Sequence, residues 1–161
     1  MRMNTRLLAI VTIAALAPSA AQSHPHVFAD ARLEIVATED GKSVQELHNV
    51  WRFDEVFSSS VLMDFDKNTN LKLDPEELRE VGNTVLTSLA DFDYYTTLTD
   101  NGKPVKVGKP DVINVDYKDG QLLMFFAVKP ATTMPLKGKL TFGVYDPTLY
   151  TSIDFPSDKD A

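Results

Sequence analysis

The 161-residue sequence contains no cysteine. Disulfides, thiolate zinc sites, iron–sulfur clusters and a cysteine nucleophile are thereby excluded. Histidine is scarce, with three residues, so one chain cannot assemble an imidazole-rich site. Positive charge is in deficit: 16 Lys and Arg stand against 23 Asp and Glu, a formal net charge of −7. Without a basic face the chain is not expected to bind nucleic acid, whereas cations, or simple solubility, suit its acidity. Beyond the N-terminus no apolar run nears the length of a membrane span. The hydrolase signatures Gly-x-Ser-x-Gly and His-Glu-x-x-His do not occur. Asp54 and Glu55 are adjacent on an expected helix and do not face each other, so they make no acid–base pair. What is present, 43% hydrophobic and 24% charged residues, is the composition of one globular domain.

Residues 1–23 have the form of a secretory signal. Arg2 and Arg6 precede an apolar run over residues 7–17, interrupted only by Thr12. Pro18 ends the run and the small residues Ser19, Ala20 and Ala21 follow. The run is about half of what a bilayer crossing needs, which favours a cleaved signal over an anchor. Cleavage after Ala21 would leave Gln22 first; cleavage after Ser23 would leave His24 first. The latter cut removes Arg2 and Arg6 and no acid: 16 basic residues less two leaves 14 against 23 acidic, a charge of −9. The product, residues 24–161, is expected to be a single periplasmic domain that does not itself span the membrane.

Residues 26–38 alternate, with Val27, Ala29, Ala31, Leu33, Ile35 and Ala37 on one side, the period of a half-buried strand. Glu39-Asp40-Gly41-Lys42 signals a turn. Residues 43–53 alternate again and place Gln45, Leu47, Asn49, Trp51 and Phe53 together. The period then lengthens to that of a helix over residues 54–64, with Asp54 as its cap. A second helix begins at Asp74-Pro75-Glu76-Glu77: Asp caps, Pro takes the first helical position, and Glu77 completes a capping box. Leu78, Val81, Val85, Leu86, Leu89 and Phe92 form its apolar stripe. From Tyr94 onward about six strands follow, punctuated by Asp100-Asn101-Gly102-Lys103 and Lys118-Asp119-Gly120. Segregated strands and helices imply an α+β fold with an antiparallel sheet of hairpins.

Between the two helices lie twelve residues, Asp66 to Glu77, that match a calcium loop. Asp66, Asn68 and Asn70 occupy positions 1, 3 and 5; Lys72 offers a carbonyl at 7; Asp74 is at 9 and Glu77 at 12. Hydrophobic Leu73 fills position 8. The sequence thus inserts an EF-hand-like helix–loop–helix into the sheet. Position 6 is Leu71 where Gly is the rule, and left-handed backbone costs a Cβ-bearing residue about 1 kcal/mol or more. Asparagines at 3 and 5 also leave three carboxylates, which points to weak calcium affinity or to a connector that keeps the shape without the ion.

His24-Pro25-His26 stands just past the signal. Two histidines two residues apart on an extended segment can face one ion, and imidazole suits zinc, nickel and copper. If Gln22 is first, its free amine and His24 at position three allow a square-planar nitrogen site; if His24 is first, Pro25 blocks that mode. The competing reading is two exposed residues at a frayed terminus. His48, on the second strand, either approaches His26 across the hairpin or is an ordinary surface residue.

Five motifs in order carry a resemblance: His24 to Asp30, Trp51-Arg52-Phe53-Asp54-Glu55, the loop 66–77, Phe92-Asp93-Tyr94-Tyr95 and Tyr145-Asp146-Pro147. Together they resemble the bacterial "domain of unknown function 1007" family of secreted proteins, whose members are commonly labelled transporter substrate-binding proteins. The resemblance implies a periplasmic accessory of an inner-membrane nickel/cobalt-type permease, binding zinc or nickel, with no enzymatic activity. It implies His24 and His26 as ligands, with Asp30, Asp54, Glu55 and Asp146 as further candidates. Asp54 and Asp146 also have structural readings, as a helix cap and as a turn former before Pro147. The alternative is an interaction module that docks on a membrane transporter and holds no ion. The family continues where this chain stops at Ala161, so a truncated C-terminus is expected.

Overall fold

The computed structural model describes residues 26–157. The expected signal, His24 and Pro25 lie outside these residues, as does the stretch 158–161. β1 (Val27–Ala37) and β2 (Ser43–Phe53) form the opening hairpin. Val27, Ala29 and Ala31 are buried on β1, and Leu47, Asn49, Trp51 and Phe53 on β2, as the alternation requires. At the turn end the expectation fails. Gln45 is exposed and Val44 is buried in its place. The register shifts between Val36 and Ala37: Val36 faces Glu46, whereas Ala37 faces Val44. This bulge admits one extra residue, and one extra residue exchanges the faces of everything beyond it.

α1 (Glu55–Phe65) and α2 (Pro75–Ser88) follow, each opened by its expected cap. The Asp54 carboxylate accepts from the N–H groups of Val56 and Phe57, both at 2.9 Å. Asp74 accepts from Glu77 N–H while the Glu77 side chain accepts from Asp74 N–H, closing the capping box. Ser58 is fully buried in α1. Its hydroxyl donates to the Asp54 carbonyl at 2.6 Å and accepts from the N–H of Leu122 at 2.9 Å, so one side chain joins the helix to a distant strand. Phe92, expected on the α2 stripe, lies beyond the helix end and is 39% exposed. The chain turns back there through a short 3-10 segment, Ala90–Tyr95. Asp93, Tyr94 and Tyr95 have φ of +50°, +53° and +53°. Left-handed backbone costs about 1–2 kcal/mol per non-glycine residue. The reversal places Tyr94 in the core against Phe126, whose burial offsets that cost.

Seven strands complete the chain: β3 (Thr96–Asp100), β4 (Lys103–Val105), β5 (Asn114–Lys118), β6 (Gln121–Val128), β7 (Met134–Pro135), β8 (Leu140–Val144) and β9 (Thr151–Asp154). The larger sheet runs β5-β6-β2-β1-β9, with β7 also paired to β2; the smaller runs β4-β3-β8. Pairing is antiparallel except between β1 and β9, which are parallel from Val27 opposite Thr151 to Asp30 opposite Asp154. The expectation of a wholly antiparallel sheet is corrected at this edge. β9 follows β8 of the other sheet, so it reaches β1 by a crossing and not by a hairpin. The result is a mixed α and β fold with mostly antiparallel sheets and few helices.

The small sheet covers the inner face of the large one. Thr96 meets Asn49 at 3.4 Å, Trp51 stacks on Tyr95, and Leu98 and Val144 are buried. α2 closes the far end, where Gly82 abuts the residue before β5. A Cβ on Gly82 would lie 2.2 Å from the Ile113 carbonyl oxygen. We expect Gly82→Ala to force helix and strand apart and to lower stability by about 1–3 kcal/mol, measured as a reduced urea midpoint. An unchanged or raised midpoint would show that this contact does not set the helix position.

Candidate functional site

The expected metal-binding terminus enters the described residues at His26, just before β1. His26 opens the segment, exposed, with its ring 5.3 Å from that of Tyr150. Its backbone N–H donates to the Tyr150 carbonyl at 2.9 Å, which fixes where the chain enters the sheet. Asp30, four residues on, does not turn to His26. It pairs with Arg52 across the hairpin at 2.7 Å, its register partner. Sequence reasoning missed Arg52, although the hairpin pairing implied by the turn places it opposite Asp30. Glu55 is exposed in the first turn of α1.

Asp54 sits between these elements and is held by them. One carboxylate oxygen caps α1, while the other accepts from Phe28 N–H of β1 at 2.9 Å. Burial raises its carboxyl pKa, but the N–H groups of Phe57, Phe28 and Val56 outweigh burial and hold it below its ordinary value. Asp146 is a second such anchor, 2% exposed between β8 and β9. It accepts from the N–H and hydroxyl of Thr148, both at 2.7 Å, and from Thr151 N–H at 2.9 Å. Burial again raises its pKa, and these donors with the Tyr95 phenol lower it further than burial lifts it. Tyr95 shows the counterpart: burial first, then the Asp146 charge, push its phenol up to about 12.

His48 is not near His26. It pairs in register with Glu34, while His26 lies eight residues before Glu34, just ahead of β1, roughly 26 Å of extended chain away. His48 Nε2 instead meets Glu46 at 2.9 Å and its Nδ1 lies 3.6 Å from Glu34. His48 and then Lys129 hold the Glu46 carboxyl below its ordinary value.

The stretch 66–77 is wrapped by its own hydrogen bonds. Asp66 accepts from the N–H groups of Asn70 and Leu71, at 3.1 and 2.7 Å. Asn70 Oδ1 accepts from Lys72 N–H at 2.8 Å. Leu71 adopts φ +62° despite its Cβ, as does Thr69 at +59°. Glu77, 4% exposed, accepts from Lys67 N–H at 2.8 Å and from Asp74 N–H at 2.9 Å. Asn68 Oδ1 accepts from Asn70 N–H, so its amide nitrogen faces Asp74 and Glu77 at 3.3 and 3.4 Å. In this arrangement Asn68 offers the two carboxylates a donor, where a cation would need an oxygen. Among the described residues no three histidine or acidic side chains gather closely enough to hold a metal ion.

The five ordered motifs thus map onto the strand entry, the β2–α1 junction, the interhelical loop, the chain reversal and the Asp146 anchor. A family described as "Protein of unknown function (DUF1007)" matches residues 9–161. The chain belongs to the DUF1007 family. A shorter stretch is also similar to the "Uncharacterized 15.5 kDa protein in trpE 3'region" of Spirochaeta aurantia. The two are 28% identical over 95 residues, which cover 59% of this chain and 68% of the relative. No solved structure matches. Among the described residues no helix is long and apolar enough to cross a membrane.

The two anchors set an acid limit for this DUF1007 protein. A carboxyl whose folded pKa is lowered contributes stability above its unfolded value, and that contribution is lost as pH falls through the folded pKa. The urea midpoint should therefore hold near neutrality and drop once pH falls below 3.8, the ordinary value for Asp54 and Asp146. Asp54→Ala should cost about 1–2 kcal/mol near neutral pH and make that acid drop shallower. An acid profile identical to wild type would mean that Asp54 does not carry the effect.

Proposed function

We propose that the protein is a periplasmic metal-binding accessory that serves an inner-membrane permease of the nickel/cobalt type and handles zinc or nickel. The supporting observation is His26. Its imidazole is exposed just before β1, beside the Tyr150 ring. His24 precedes it by two residues, outside the described region, and supplies the second imidazole. Asp30 and Asp54 do not fit as ligands in their present arrangement, because Arg52 and three backbone N–H groups already engage them. A pair of histidines holds an ion less firmly than a closed four-ligand cage, which suits delivery. In calorimetry on the signal-cleaved protein, zinc or nickel should bind saturably, and His24→Ala/His26→Ala should abolish it. Asp30→Asn should leave it intact. The absence of binding for both ions would end this reading.

A second reading has its own support. Tyr145, Leu149 and Tyr150, on the β8–β9 connection, are 53%, 70% and 53% exposed, an apolar surface suited to a partner. On this reading the protein docks on a membrane transporter, and the 66–77 segment is an EF-hand-like connector that has lost its ion. The inward donor of Asn68 supports that view of the loop. Calcium should then show no saturable binding below about 1 mM. Co-purification with a permease should persist without metal and be lost in Leu149→Glu.

A further inference from the structure

Two of the five ordered motifs are not used by the proposed histidine site, and they meet. The reversal that carries Phe92-Asp93-Tyr94-Tyr95 and the segment Tyr145-Asp146-Pro147 are joined where Tyr145 N–H donates to the Tyr95 carbonyl at 2.9 Å. Beside this junction opens a cleft of about 180 Å³ whose walls include Phe92, Tyr95 and Tyr145 together with Asp91 and Asp93. It is open to solvent: Phe92 and Tyr145 are large side chains left well exposed, Asp91 is exposed and Asp93 is half-buried. The Phe92 and Tyr95 rings lie 6.1 Å apart, tilted by 57°. The Asp91 carboxylate makes no hydrogen bond or ion pair among the described residues. Asp93 Oδ2 accepts from the Lys106 ammonium at 2.9 Å, so this acid already seats one cation. Two carboxylates therefore stand against one ammonium beside three aromatic rings.

We propose that this cleft binds a small quaternary ammonium ion of the choline type. Aromatic rings attract a cation through their quadrupole, and alkylated ammonium heads are the ligands that clustered rings recognise best. The positive charge follows from the excess of carboxylate. A divalent metal ion does not suit the walls: it takes about six oxygen ligands, whereas two carboxylates line the cleft and Lys106 already engages one. A primary ammonium or a guanidinium brings several N–H donors, and each needs an acceptor. A quaternary ammonium brings none, and its methyl groups match the apolar ring surface. Size agrees as well, since a cavity of about 150 Å³ holds benzene and a trimethylammonium head has fewer heavy atoms. The ligand is a free solute and not a lipid headgroup, because a phosphate beside the ammonium would be brought up to Asp91. This site uses neither His24 nor His26, nor any metal they hold.

The test follows the N-methyl proton resonance of choline as the full chain is added, beside 3,3-dimethylbutan-1-ol, its neutral carbon isostere. Choline should bind saturably with an upfield, ring-current shift of that resonance, and at least about tenfold more tightly than the isostere. Phosphocholine, standing for the lipid headgroup, should bind more weakly than choline. Tyr145→Leu and Phe92→Leu should each weaken choline by about fivefold or more, whereas Tyr145→Phe keeps the ring and the affinity. Asp91→Asn should also weaken it, by a margin that shrinks as salt is raised. All four changes are at solvent-accessible positions, and an unchanged circular dichroism spectrum and urea midpoint confirm the fold in each. The proposal is overturned if choline gives no saturable shift, or binds no better than its isostere or than phosphocholine. It is equally overturned if the folded Tyr145→Leu and Phe92→Leu proteins bind choline as wild type does. Loss of choline binding in His24→Ala/His26→Ala would also overturn it, by placing the ion at the strand entry.

Discussion

The carboxylate of Asp54 is where three elements of the molecule are tied together. It ends β2, caps α1 and receives the N–H of Phe28 from β1. Phe28 of β1 and the first turn of α1 take their positions from this one group. Ser58, one turn further on, extends the same junction to β6 through Leu122. The aromatic interior then builds on that corner: Phe53 beside Phe57, Trp51 beside Phe53, and Phe126 against Trp51. The half-buried charge is tolerated here because several backbone donors meet it at once, which offsets the cost of withdrawing a carboxylate from water.

Local chemistry was legible in the sequence and long-range pairing was not. The Asp54 and Asp74 caps, the capping box at Glu77 and the first hairpin follow from residue types at fixed spacing, and all are present. The Asn101-Gly102 and Asp119-Gly120 turns also form, with both residues of each at positive φ. Three expectations failed, each for a reason that spacing cannot carry. Gln45 lost its inner position to a bulge created by pairing with β1. Phe92 left the helical stripe because the chain reverses at Asp93 to Tyr95, a strained path whose cost the burial of Tyr94 offsets. β9 runs parallel to β1 because its approach is set by the second sheet. The candidate ligands show the same division: Asp30 carries a ligand's chemistry, but its register partner is Arg52, and register is a property of two strands.

The parallel pairing of β9 with β1 has a kinetic side. Val27 lies opposite Thr151, so the first strand of the domain acquires its outer neighbour only from nearly the last. Closing so long a loop is entropically expensive, and such contacts form late. The hairpin with β2 can form from local sequence, yet one edge of β1 stays open until the rest of the chain is in place. An open edge invites pairing with other chains. His26 immediately precedes that strand and Asp30 lies on it, with the Tyr150 carbonyl and Asp154 as neighbours across the late-formed border. The order in which the chain closes therefore decides when the strand entry exists as a surface, and until then its residues belong to an exposed edge.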